Sequence, residues 1–159
     1  MDAEHRTGPV GLLPRGTGPV ELETQGLTAD ITHPDWPIPV GGRLAVERSD
    51  GNAGVVRTEI TVLAETVTVA WGIEARVVHD LVTRDGALVR DTLDWYAQDA
   101  EGNVWHLGEQ TAAFAAGRVV TTHGSWEAGA DGAQASIVLP AIRIGQPNRC
   151  KVGGWMSCA

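Results

Sequence analysis

From Arg43 onward the chain alternates apolar and polar residues with a period of two, and turn residues break that alternation at short, regular intervals. Period two is the repeat of a strand with one covered face, and a helix, with its repeat of about 3.6, cannot use it. The alternation predicts strands at about 43–48, 55–63, 66–70, 73–83, 88–98, 104–114, 119–127 and 135–139. Between them stand Ser49-Asp50-Gly51-Asn52, Ala70-Trp71-Gly72, Arg84-Asp85-Gly86, Asp99 through Asn103, Ala116-Gly117 and Ala130-Asp131-Gly132. Tight turns of this kind make sequence neighbours pair antiparallel, so the expected fold is all-β, an antiparallel meander. Curling the meander into a small β-barrel (calycin-like or similar), or pressing it into a tight sandwich, protects the edges it would otherwise expose. The 20 glycines and 8 prolines suit so turn-rich a chain.

At 159 residues the chain is one domain's worth. A domain of that size buries about 68–70% of its unfolded surface and needs no metal or disulfide to hold a core. The balance of 12 basic against 20 acidic residues, net −8, argues against nucleic acid and anionic membranes, which select clustered Lys and Arg. No apolar run approaches the roughly 18 residues of a membrane span. Met1-Asp2-Ala3-Glu4-His5 carries neither a basic nor an apolar leader region, so the chain reads as cytoplasmic.

Three segments are expected. Residues 1–30, where Thr7-Gly8-Pro9-Val10 recurs as Thr17-Gly18-Pro19-Val20, form an irregular arm, flexible or lid-like. Residues 31–141 form the barrel, entered through the Pro-rich stretch Thr32 to Pro39. Residues 142–159 lack a sustained apolar period and form a poorly ordered tail, in which Cys150 and Cys158 could close only a short loop.

Alternate residues of each strand share a face, and the more apolar row marks the interior. That row holds Ile60 and Val62, then Ile73, Ala75 and Val77, then Leu93, Leu107 and Val120. It also holds three ionisable residues: His79, Asp91 and Glu109. An unpaired charge there costs several kcal/mol, so each must be partnered or face a wet cavity. Trp95, Trp105 and Trp126 fall in the same row, as does Thr111, whereas Arg76, Arg90, Glu127, His106 and His123 fall in the outer rows. The candidate catalytic residues are therefore Glu109, Asp91 and His79, with Trp95, Trp105, Trp126 and Thr111 as ligand-binding walls. The plainer alternative is that the tryptophans fill the core and the polar residues reach solvent at strand ends or bulges.

Other motifs carry less. Asp99-Ala100-Glu101-Gly102-Asn103 has its glycine too early for a calcium loop and lies between strands, so it reads as a hairpin turn. The five histidines show no metal-ligand spacing. Neither cysteine has the surroundings of a nucleophile. No nucleophile elbow, phosphate loop or dinucleotide fingerprint is present. No metal and no cofactor is expected.

Asp94-Trp95-Tyr96-Ala97-Gln98-Asp99, Gly102-Asn103-Val104-Trp105-His106-Leu107-Gly108-Glu109 and Gly124-Ser125-Trp126-Glu127-Ala128-Gly129 with Asp131-Gly132-Ala133 are fairly specific stretches. Together with the Pro34–Leu44 lead-in they resemble a group of uncharacterised bacterial β-rich domains, over roughly residues 33–141. The resemblance implies a β-rich fold and brings no activity with it. Similar sequences continue past Ile137-Val138-Leu139-Pro140-Ala141 into a further Tyr-rich strand, which Arg149-Cys150-Lys151 and the residues after it do not match.

Two functions of different class fit these residues. The first is a cofactor-independent cyclase or isomerase acting on a hydrophobic, natural-product-like molecule, with Glu109 or Asp91 exchanging a proton and His79 as partner. The second is a non-catalytic carrier of a lipid-like or aromatic ligand. A structural or interaction domain with a filled core is a third, and a homodimer is compatible with all of them.

Overall fold

The computed structural model describes residues 22–49, 51, 54–141, 150–151 and 157–158. Its strands are β1 (Arg43–Ser49), β2 (Val55–Val69), β3 (Ile73–Arg84), β4 (Ala87–Gln98), β5 (Val104–Ala115), β6 (Arg118–Thr121), β7 (Trp126–Glu127) and β8 (Ser136–Leu139). β1 to β6 pair antiparallel in chain order, and β7 and β8 both pair with β5. The meander curls into a half-barrel. A separate antiparallel pair joins β9 (Cys150–Lys151) to β10 (Ser157–Cys158). Among the described residues no helix is long and apolar enough to cross a membrane.

Two boundaries differ from those read in the sequence. The runs 55–63 and 66–70 are one strand with an irregularity: Val62 faces Val78 and Thr66 faces Arg76, so Leu63, Ala64 and Glu65 stand against Val77 alone. The run 119–127 is two strands, because only Trp126 and Glu127 return to β5 after β6 ends.

The bulge in β2 explains Arg76, expected to face solvent but 7% exposed. Extra residues in one strand leave carbonyls without ladder partners. The Arg76 guanidinium fills them: Nη1 donates to Leu63 O (3.2 Å) and Ala64 O (2.8 Å), and Nε donates to Ala29 O (3.1 Å).

That last bond shows how the lead-in docks. Thr28 pairs with Gln98, and Gln98 Oε1 accepts the N–H groups of Thr32 and His33, each at 2.9 Å. His33 is buried, with Nε2 2.9 Å from Pro140 O. Leu22 and Leu27 pack on the core, and Ala29 is buried. Residues 22–30 of the expected arm are thus applied to the sheet, while 1–21 lie outside the described residues. Of the expected tail, 142–149, 152–156 and 159 also lie outside them.

The core occupies both faces of the sheet. Val69, Ile73, Ala75, Ala97, Trp105, Leu107, Ala128 and Ala135 cluster on one side. Ile38, Ile60, Val62, Val78, Tyr96, Val104 and Leu139 cluster on the other. A strand covered on both sides no longer advertises which row is interior. The Asp99 loop is the hairpin turn its sequence suggests. Its carboxylate accepts from the N–H groups of Glu101 and Asn103, from Asn103 Nδ2 and from Trp105 Nε1. Burial alone would raise the Asp99 pKa, but these donors outweigh it and hold the group below its ordinary value.

Candidate functional site

The site is created by one residue too many in β5. Ala97 faces Trp105 and Tyr96 faces His106, but Trp95 faces Gly108, so Leu107 is the extra residue. Before the bulge, His106 projects to the Tyr96 side. After it, Glu109 faces Asp94 and Thr111 faces Thr92, and both project to that same side. Strict alternation put Trp105, Leu107, Glu109 and Thr111 in one row and His106 in the other. The bulge corrects this: Trp105 and Leu107 enter one core cluster, while His106, Glu109 and Thr111 share the opposite face.

Cross-strand partners lie on a common face, so the registers read as rows. One row runs Val62, Val78, Asp94, Glu109, Trp126; the next runs Leu44, Ile60, Asp80, Thr92, Thr111. Leu44, Ile60, Val62 and Val78 make the β1–β3 part of these rows mainly apolar, with Asp80 of β3 buried among them, and Asp94 and Glu109 stand at the β4–β5 end. His106 Nε2 lies 3.1 Å from Asp94 Oδ1, and Asp94 is hydrogen-bonded to Glu109. Tyr96 stacks on His106 with ring centres 4.8 Å apart. Trp36 meets Tyr96 edge-on at 5.3 Å, and Trp126 meets His106 edge-on at 5.1 Å. Thr92 Oγ1 and Thr111 Oγ1 are 2.7 Å apart.

Segment 122–126 runs beside β5 at Glu109 and Thr111. Ser125 Oγ accepts from Thr111 N (2.9 Å) and donates toward Thr111 O (3.2 Å) and Thr122 O (3.0 Å). A methyl placed on Gly124 would stand 3.9 Å from Glu109 Oε1.

Burial first, then the negative charge of Asp94 and the hydrogen bond to it, push the Glu109 pKa up from 4.5 to about 7; His106 and Arg90 pull the other way. Tyr96 is held well above its ordinary value by burial, then by Asp94, Glu109 and Asp80, so its phenol keeps its proton. The Glu109 shift fixes a sign for stability. Its stabilising contribution is complete below the unfolded pKa, near 4.5, and is lost as pH rises through the folded value, about 7. The melting temperature of the protein should therefore fall relative to that of Glu109→Gln between these pH values and run parallel to it above them. Parallel melting curves across the whole range would show that Glu109 titrates normally.

Asp94, His106 and Glu109 each offer a ligand atom, all within 4.8 Å of one another. Two carboxylates and an imidazole are a donor set that suits a divalent ion. Histidine spacing could not signal this, because the three residues come from two strands.

The other sequence candidates lie elsewhere. His79 Nε2 and Asp91 Oδ1 are 2.8 Å apart, so these two are partnered, but on the face away from Glu109 and part-exposed. Trp105, 4% exposed, spends its N–H on Asp99 and belongs to the core, and Trp95 packs against the same cluster. Arg90 is exposed as expected, whereas Glu127 is half-buried and accepts from Ala70 N at 2.6 Å. Of the seven candidates, Glu109, Thr111 and Trp126 come together, with Trp126, opposite Glu109 and edge-on to His106, also packing against the Trp105 cluster. Asp94, His106, Tyr96 and Trp36 complete their surroundings and were not singled out. One signal was available: Gly108, a glycine inside a strand run, often marks a bulge.

No protein-family model, no curated protein and no solved structure matches this chain.

Proposed function

We propose that the protein is a cofactor-independent acid–base enzyme, a cyclase or isomerase that acts on a hydrophobic, natural-product-like molecule through Glu109. The observation that supports this is the hydrogen-bonded Asp94–Glu109 carboxyl pair, with His106 on Asp94, on a face that also carries the apolar Leu44, Ile60, Val62 and Val78 and the buried Asp80. An acid is most useful when its pKa lies near the working pH, because it can then both give and recover a proton. Glu109, held up to about 7, meets that condition. It donates from its carboxyl to a substrate carbon or oxygen. Its own negative charge then stands beside Asp94, which favours reprotonation, and Glu109 takes a proton from a second position of the substrate, so that the cycle closes with no net gain or loss of protons. Asp94 is oriented by His106, and Trp126 supplies an apolar wall beside the reacting group.

The test is proton exchange in deuterium oxide with a panel of neutral, enolisable apolar ketones, followed by mass spectrometry. The protein should accelerate deuterium uptake by a subset, and Glu109→Gln should lose about 100-fold or more of that acceleration. Quenching of tryptophan fluorescence by N-phenyl-1-naphthylamine, a neutral apolar probe, should survive the substitution. Quenching without exchange in the unaltered protein would leave the carrier reading, and neither would leave a structural domain.

A further inference from the structure

Among the described residues β1 is the outer strand of the sheet, and all seven of its residues are exposed, including Leu44 at 43% and Val46 at 50%. Natural edge strands are commonly blunted by proline, bulges or extreme shortness, because their free peptide groups template another strand. β1 has none of these, and its protection is charge alone, from Arg43, Glu47 and Arg48: its register with β2 runs unbroken from Arg43 opposite Thr61 to Ser49 opposite Val55.

The hydrogen-bond phase shows which peptide groups β2 does not use. Val62 N donates to Gly42 O at 3.1 Å, and antiparallel ladder bonds fall on alternate residues. Leu44 and Val46 therefore bond to β2, and the peptide groups of Arg43, Ala45 and Glu47 point outward. The far end agrees: Val55, opposite Ser49, directs its N–H to Asp85 Oδ1 and its carbonyl to Asp85 N, away from β1.

A second copy can add to that edge only antiparallel about a two-fold axis if both copies are to use the same strand. Centring the axis on Ala45 sets Arg43 opposite Glu47 twice, Leu44 opposite Val46 twice, and Ala45 opposite itself. The outward peptide groups are then the ones that meet. Centring on Leu44 or Val46 sets a charge opposite Ala45, and centring on Glu47 sets two carboxylates face to face. Only one register is complementary in charge and in apolar surface. Glu47 already accepts from Arg57 at 3.1 Å, and its carboxylate has acceptor capacity for a second cation.

We propose that the protein forms a two-fold homodimer through its β1 strands, with Ala45 opposite Ala45 and Arg43 opposite Glu47 of the second copy. Two half-barrel sheets then run on as one. Leu44 lies in the same row as Ile60 and Asp80, so the apolar surface on the Glu109 side continues across the axis.

Sedimentation velocity over a range of concentrations, on the full chain, tests the proposal. The unaltered protein should dimerise. Arg43→Glu and Glu47→Arg alone each set like charges opposite one another twice, and each should weaken the dimer about tenfold. The double variant Arg43→Glu with Glu47→Arg, made together with Arg57→Gln so that the new arginine does not face Arg57 of its own chain, restores both pairs and should restore the dimer. Ala45→Pro removes an outward donor that β2 does not use, so it should give a folded monomer with an unchanged circular dichroism spectrum. A monomer at every concentration overturns the proposal, as does a dimer indifferent to Ala45→Pro. Failure of the double variant to recover what either single variant loses overturns the register.

Discussion

Gly108→Val should destabilise the protein by about 3 kcal/mol or more, read as a fall in the urea midpoint at constant slope. Gly108 has φ 154°, which side chains rarely adopt, and a Cβ there would lie 2.5 Å from Trp126 O and 2.8 Å from Trp95 Cε3. The first neighbour is backbone of β7 and the second is a ring packed on the core, so neither yields cheaply. Relief would require β7 to leave β5, which removes Trp126 from His106. Gly108→Ala carries the same Cβ and should show much of the effect. A loss below about 1 kcal/mol in both variants would mean that the bulge adjusts freely, and the shared face of His106 and Glu109 would lose its structural basis.

Arg76→Met should cost about 3–5 kcal/mol. The substitution keeps an apolar stem of similar length but removes the donors to Ala29 O, Leu63 O and Ala64 O. Those carbonyls belong to the β2 bulge and the docked lead-in, so a buried cation holds two segments at once. Arg76→Lys should recover only part of the loss, because an ammonium cannot reach three acceptors with the planar geometry of a guanidinium. Asp30, 3.7 Å from Arg76 and highly exposed, should matter little: Asp30→Asn should leave the urea midpoint nearly unchanged. Equal stability of Arg76→Met and the unaltered protein would show that water replaces the guanidinium.

The elements were legible because their signal is local. Eight alternating runs became strands within a residue or two, except where 55–70 fused and 119–127 divided. The site was only partly legible. Glu109 stood out because a carboxyl among Leu107, Thr111 and Ala113 is conspicuous in any register. Alternation misplaces its neighbours because one inserted residue at Leu107 reverses the parity of everything after it. Trp95 and Trp105 were assigned to the site's face for the same reason. Trp36 was out of reach altogether, since no strand pattern predicts where a Pro-rich lead-in will land.

The amino-acid order by itself determined the all-β class, the antiparallel order of the strands and the turn at Asp99, and it marked Glu109 as a carboxyl in an apolar run. Each rests on interactions between residues near in sequence: period-two alternation, tight-turn chemistry, and a polar residue in an apolar run. The tertiary structure alone decided that Asp94 and His106, not His79 and Asp91, stand with Glu109, and that Arg76 is buried. Both depend on bulges, whose position is set by how two strands and their coverings pack together. A one-residue offset costs little locally, yet it moves every later side chain to the other face of the sheet.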